Sequence, residues 1–464
     1  MTAPRGAQVR GVGGVLVRAS AYGGRFRIAF VVFGGMLALQ SSPTLDGTKI
    51  AYLVGTALCL VGALATVWRL RRTPEVRLIA PWIAASAALA LLVAISFIVA
   101  RADGTSITDW ARDAAAYALF AAVPVFALDA QASTSRKLLV WMLVVAGLLG
   151  GLSWAFEWLS RRDIVELPLT RLVFPSGQLP SMLYLFAMAM ALTSSRRHAA
   201  WVVLAGVTLG LFLLTGTRSS LLLLIGPLAM AAFSGWSRIR SSLGALVSHG
   251  VVALAVVIAF QLALALPAVL GSGRTDGEPS SSGPAATSGP NVLGDRIGSL
   301  TGLLGNAAAD PSIKERVAQY EAAWALFVSS PVVGAGPGHS IHWVDVSGRP
   351  RTAFTADTPL VMPAKFGLLG ILVFIGAAVA YGSTVRTALR RDRRSVITLT
   401  LVGYGVLTIV GLPLGFPVED KGASLALILL LALAFAERAA PRSIDTANVS
   451  ELNASVSETQ HPDR

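Results

Sequence analysis

Two histidines flank a glycine-rich turn, Pro331-Val-Val-Gly-Ala-Gly-Pro-Gly-His339 with His342 close behind. Imidazole titrates nearest neutral pH, so His339 and His342 are natural acid/base candidates, and Asp357 downstream is a third. A solvated or capping histidine is the bland alternative, and it stays open for both. His198, His249 and His461 are set aside because the topology below puts them on the opposite side of the chain. Arginines supply the complementary chemistry. Arg218, in Thr215-Gly-Thr-Arg218-Ser-Ser, and Arg316 could each grip a phosphate or pyrophosphate with a planar fork of donors. For Arg218 the alternative is snorkelling to lipid headgroups. For Arg316, near a helix N-terminus that itself favours anions, it is a surface pairing with Glu321 or a neighbour. Arg349 and Arg351 flank Pro350 and form either a second polar cluster or a solvated hairpin. Arg171 and Lys365 complete the cationic candidates for substrate contact, whereas Asp109, Arg112 and Asp113 read as an interfacial ion network. The single cysteine, Cys59, lies in an apolar run, and no Cys/His metal spacing, P-loop, H-E-x-x-H or G-x-S-x-G occurs. No metal and no cofactor are therefore expected.

These residues need elements to hold them, and the composition says what kind. Of 464 residues, 54% are hydrophobic and only 14% charged, with mean hydropathy +0.66. That is too little charge to cover a soluble protein of this size. Apolar runs long enough to cross a hydrocarbon core of roughly 30 Å recur along the chain. The expected fold is all-α: a polytopic membrane domain over 1–436. About twelve spans are expected near 26–42, 49–68, 78–100, 110–128, 137–156, 179–195, 199–215, 219–235, 243–268, 364–384, 395–413 and 419–436. The basic N-terminus mimics a signal peptide, but no A-x-A site follows Leu39, so an uncleaved first span is expected.

Alternate connections are rich in Lys and Arg, among them Arg69/Arg71/Arg72/Arg77, Arg196/Arg197 and Arg386/Arg390/Arg391/Arg393/Arg394. The intervening ones are mixed in sign. By the positive-inside rule both termini are cytoplasmic, and the long connection at 271–362, between the ninth and tenth spans, is external. The same rule accounts for the net charge of +13 and removes nucleic acid as a partner. The external connection divides in three. A Gly/Ser/Pro-rich linker covers 271–294. Asp310 then caps an amphipathic helix near 311–328, in which Ile313, Val317, Tyr320, Trp324 and Phe327 recur at helical spacing. This helix either lies on the membrane surface or packs on the spans. The glycine turn follows. The tail at 437–464 is polar and reads as disordered and cytoplasmic.

Four stretches in this order resemble the O-antigen ligase and O-antigen polymerase superfamily of bacterial envelope glycosyltransferases. They are Asp46-Gly-Thr-Lys49-Ile-Ala-Tyr, Leu214-Thr-Gly-Thr-Arg218-Ser-Ser, the run from Arg316 through Trp324 to Pro331-Val-Val-Gly-Ala-Gly-Pro-Gly338, and Phe366-Gly367-Leu-Leu-Gly370. Together with the span layout, the resemblance covers most of the chain. It implies a helical, GT-C-like glycosyltransferase of the bacterial cytoplasmic membrane. Such an enzyme is metal-independent and inverting. It takes a polyprenyl-diphosphate-linked glycan as donor and a glycan, lipid or protein as acceptor. Arg218 and Arg316, at the matching positions, would hold the pyrophosphate. The chain departs from the pattern at Ala356-Asp357, where the family has a His-Asn pair, and at Lys365, where it has an acidic residue. Asp357, His339 or His342 would then have to replace the missing histidine. The competing classes are a lipid-linked glycan flippase or other transporter, and an inactive relative that binds glycan lipid. A transporter of two similar halves would place its longest loop near the middle, which this chain does not.

Overall fold

The computed structural model describes residues 23–40, 47–73, 76, 79–160, 177–193, 198–214, 218–234, 243–259, 311–415 and 417–439. The basic N-terminus to 22, Arg171, the linker at 271–294, Asp310 and the tail from 440 lie outside the described residues, as does the side chain of Arg218. Within them the protein is mostly helical. Helix α1 covers 23–40 and contains a π-helical stretch, Phe30–Gly34. It is followed by α2 (Gly47–Leu70), α3 (Ala80–Ala102), α4 (Ile107–Ser133) and α5 (Arg136–Ser160). Next come α6 (Gln178–Thr193), α7 (His198–Leu214), α8 (a 3-10 turn Arg218–Leu224 running into Ile225–Ser234) and α9 (Leu243–Ala259). The segment expected to be amphipathic is α10 (Pro311–Ser329). After it come α11 (Val361–Arg391), α12 (Val396–Gly411) and α13 (Lys421–Ala439).

Five of these helices, α2, α3, α4, α11 and α13, are each long and apolar enough to cross a membrane. Their sequences explain the helices directly: Leu, Ala, Val and Ile predominate, so pairing the backbone groups within each segment is the only economical arrangement in an apolar medium. Ser106 caps α4 by accepting from the Asp109 amide at 3.0 Å, and Ser395 caps α12 in the same way. The centre of the bundle is α6 and α13. Leu183, Tyr184, Leu185 and Ala187 are fully buried, as are Ile428 to Leu433, and α13 packs most extensively against α4. By contrast α2, α3 and α11 turn apolar residues outward along their length: Val54, Leu58 and Val61; Leu91 and Ile98; Leu372, Ile375 and Val379. Left in water, that surface would cost about 25 cal/mol for each Å².

The segment between α10 and α11 settles between the two readings of Arg349 and Arg351. It contains a short antiparallel hairpin, β1 (Ile341–Val344) paired with β2 (Pro350–Ala353), in the register His342 to Thr352 and Trp343 to Arg351. One face of β1, with Ile341 and Trp343, packs with Ala322 and Leu326 of α10 and with Ala356 and Val361. Helix α10 is therefore packed on its inner side, while Val317, Trp324 and Val328 remain exposed on its outer side.

Candidate functional site

The glycine turn exists to close a gap in a helix. Helix α11 is broken at Gly367, whose backbone adopts φ 61°, ψ −157°, a region open almost only to glycine. The break strands carbonyls before it and amides after it. The turn satisfies both sets. Ala335 and Gly336 donate to the carbonyls of Ala364 and Lys365 at 2.9 and 3.0 Å, while Leu368 and Leu369 donate to the carbonyls of Pro331 and Val332 at 2.8 and 3.2 Å. The two backbones approach so closely that a Cβ on Gly334 would lie 2.2 Å from the Lys365 carbonyl carbon. One on Gly367 would lie 2.3 Å from that of Val332. The glycine-rich run and the Phe366-Gly367-Leu-Leu-Gly370 run are thus two halves of one interlock.

Lys365, just before the break, points inward and is 1% exposed. Its ammonium lies 2.8 Å from Asp113 Oδ1 of α4 and 2.7 Å from Glu419 Oε1, in the 3-10 turn Pro417–Glu419 before α13. Both carboxylates are about nine-tenths buried. They are bound further: Asp113 Oδ2 accepts the Gly338 amide at 2.7 Å, Tyr117 donates to Glu419 Oε1 at 2.6 Å, and the Thr355 hydroxyl donates to Glu419 Oε2. An isolated ammonium or carboxylate at this depth would cost several kcal/mol, and mutual pairing with further hydrogen bonds is what makes the trio tenable. On its outer side, Arg112 stacks over the Phe354 ring at 4.2 Å.

Beyond this network, at its exposed edge, Arg316 of α10 faces Asp357 with Nη2 to Oδ2 at 3.8 Å. The Asp357 amide is fixed by Gln319 Oε1 at 2.7 Å, so α10 holds the aspartate by its backbone as well as by charge. The carboxylate itself is 57% exposed, and Arg316 is 25% exposed. Ala356 turns the other way, into the apolar cluster with Ile341 and Val361. His339 follows Gly338 directly and is half-buried; its ring makes no hydrogen bond among the described residues.

His342, Arg349 and Arg351 are not brought to this place. His342 stands on the exposed face of the hairpin, its Nδ1 3.0 Å from the Thr352 hydroxyl. Arg351 pairs with Asp345 at 2.9 Å, and the Arg349 amide also donates to Asp345. The Ser347 hydroxyl, the Arg349 amide and Arg351 hold the Asp345 carboxyl well below the usual carboxylate range. Arg349 at the turn and Arg351 within β2 therefore belong to a hairpin, the second of the two readings the sequence allows. Lys365 is corrected from a substrate contact to a buried ion-pair centre, because both its carboxylate partners and its burial keep it from solvent. Arg218 opens the 3-10 turn of α8, which packs on α7 and α12. Asp113, Tyr117, Thr355, Gln319 and Glu419 were not singled out as site residues by the sequence. Among the described residues no group of three or more His, Cys, Asp or Glu is arranged to hold a metal. No protein-family model matches the chain, and no curated protein matches it.

Proposed function

We propose that the protein transfers or polymerises a polyprenyl-diphosphate-linked glycan at the external face of a bacterial cytoplasmic membrane. On this reading all twelve apolar segments are spans, both termini are cytoplasmic and the segment carrying α10 and the hairpin is external, as the distribution of Lys and Arg requires. The observation that carries the reading is the Arg316–Asp357 pair. A cation suited to a pyrophosphate and an exposed carboxylate stand together, two residues along the chain from Thr355, which is bound to the buried Lys365 network. The resemblance of the sequence to O-antigen ligases and polymerases gives the pair its roles.

The acceptor oxygen attacks the anomeric carbon of the donor, and a new glycosidic C–O bond forms with inversion. The bond from that carbon to the diphosphate breaks, and its electron pair leaves on the diphosphate oxygen. Arg316 and Arg218 would stabilise the charge that develops there, an effect strongest in a site from which water is excluded. Asp357 accepts the hydrogen bond of the attacking hydroxyl and takes its proton as the C–O bond forms. His339 is the second choice for this step, being the histidine next to the anchored Gly338.

The test uses the full chain purified in detergent, supplied with lipid-linked glycan and acceptor extracted from host membranes. Elongated or transferred glycan is the expected product. Arg316→Ala, Arg218→Ala and Asp357→Ala each abolish it, while His342→Ala retains it. Full activity in both arginine variants, or translocation in vesicles without any product, would sink the assignment. Loss in His339→Ala with activity kept in Asp357→Ala would move the base to His339.

A further inference from the structure

We infer that Lys365 is a positioning residue that yokes together the two segments bearing the acid/base candidates. This deepens the glycosyltransferase reading and rests on it for its catalytic consequence, though not for its geometry. The ammonium divides between two carboxylates, and each carboxylate passes the constraint to a different part of the external segment. Through Asp113, it fixes the Gly338 amide, the residue immediately before His339. Through Glu419, it fixes the Thr355 hydroxyl, two residues before Asp357. Lys365 also contributes its own carbonyl to the Gly336 amide, so backbone and side chain of one residue hold the same turn.

The yoke joins four parts of the chain that are distant in sequence: α4, the glycine turn, the approach to Asp357 and the turn before α13. Neither carboxylate could be buried here without the cation, and the cation could not be buried without both. Tyr117 stiffens the centre, with its hydroxyl on Glu419 and its ring 4.7 Å from Phe366 and 5.5 Å from the ammonium. Lys365 itself is too buried to touch a substrate, so it acts only through the segments it holds.

Hydrogen–deuterium exchange on the purified full chain reads the two arms separately. Thr355→Val cuts one arm at an exposed residue and should speed exchange of the 356–358 amides about tenfold, leaving the amides of Gly336, Gly338 and His339 unchanged. Asp113→Asn should do the converse, and Lys365→Met should speed both. Acceleration of both arms by Thr355→Val, or of neither by Lys365→Met, would overturn the yoke whatever the protein catalyses. In the transfer assay with extracted lipid-linked glycan, Thr355→Val should lower kcat about 100-fold with KM for the donor nearly unchanged, as expected for a misplaced reacting group. Wild-type kcat in Thr355→Val and Lys365→Met alike would refute the positioning role. A wild-type protein that forms no product would refute the glycosyltransferase reading and leave the exchange result to decide the yoke.

Discussion

Gly367→Ala tests the interlock that organises the site. The alanine would have to keep φ 61°, ψ −157°, which costs a non-glycine residue about 1–3 kcal/mol. Its Cβ would also stand 2.3 Å from both the carbonyl carbon and the oxygen of Val332. Backbone cannot yield there as the end of a flexible side chain could, so one strand of the interlock must move away. Four hydrogen bonds cross between the two strands, and each is worth about 1 kcal/mol net. Losing two of the four in addition to the strain gives about 3–5 kcal/mol, or about two to four powers of ten in local opening. Exchange of the amides of Ala335, Gly336, Leu368 and Leu369 measures this directly, and thermal unfolding in detergent followed by tryptophan fluorescence measures the global part. Gly376→Ala and Gly382→Ala are the controls, since an added Cβ at either meets nothing within 4 Å. They should be neutral or stabilise α11 by up to about 1 kcal/mol. If Gly367→Ala exchanges and melts as these controls do, the close approach does not constrain the segment and the account of the glycine run is wrong.

Two further outcomes follow from charges elsewhere. The folded hairpin depresses the Asp345 carboxyl, so its contribution is fully present above the ordinary aspartate range near pH 4 and is lost as pH falls through the lower folded value. Exchange protection of the hairpin should therefore fall in strongly acidic solution, and Asp345→Asn should remove that dependence; an unchanged acid profile in the variant would contradict it. At the opposite end of α4, Arg27 grips Asp129 with two bonds of 2.6 and 2.9 Å, and Asp129 is 1% exposed. Arg27→Leu should cost about 3–5 kcal/mol by stranding the carboxylate, and the double variant Arg27→Leu/Asp129→Leu should recover most of the loss. Equal melting temperatures for the single and double variants would refute that explanation.

How much of this was legible in the sequence depends on the range of the signal. The helices announce themselves because an apolar run carries its own instruction: its length and composition leave the backbone no partner but itself. The amphipathic helix is equally local, with Ile313, Val317, Tyr320 and Phe327 at helical spacing, and it emerges as Pro311–Ser329. The hairpin was only one of two readings of Arg349 and Arg351, because Ile341-His-Trp-Val344 is too short for alternation to decide between them. Its tip is made by Asp345, whose side chain gathers Ser347, Arg349 and Arg351 across a turn with no Asn-Gly signature.

The buried centre was illegible for a different reason. Lys365 meets Asp113 and Glu419 across 252 and 54 residues, and nothing local in any of the three sequences names its partners. Yet one local fact does demand them. Lys365 is the only charge between Asp357 and Arg386, in a run otherwise fit for a membrane helix. An ionisable residue in such a run must either snorkel to the interface or find an opposite charge inside. Its place five residues after Leu360, in the first turns of α11, left both choices open to a reader of the sequence. In the structure the first helical piece ends at Gly367, two residues past Lys365, and the ammonium turns inward to Asp113 of α4. In this chain the isolated lysine and the glycine two residues beyond it together accompany a buried ion-pair centre, and neither residue carries that meaning alone.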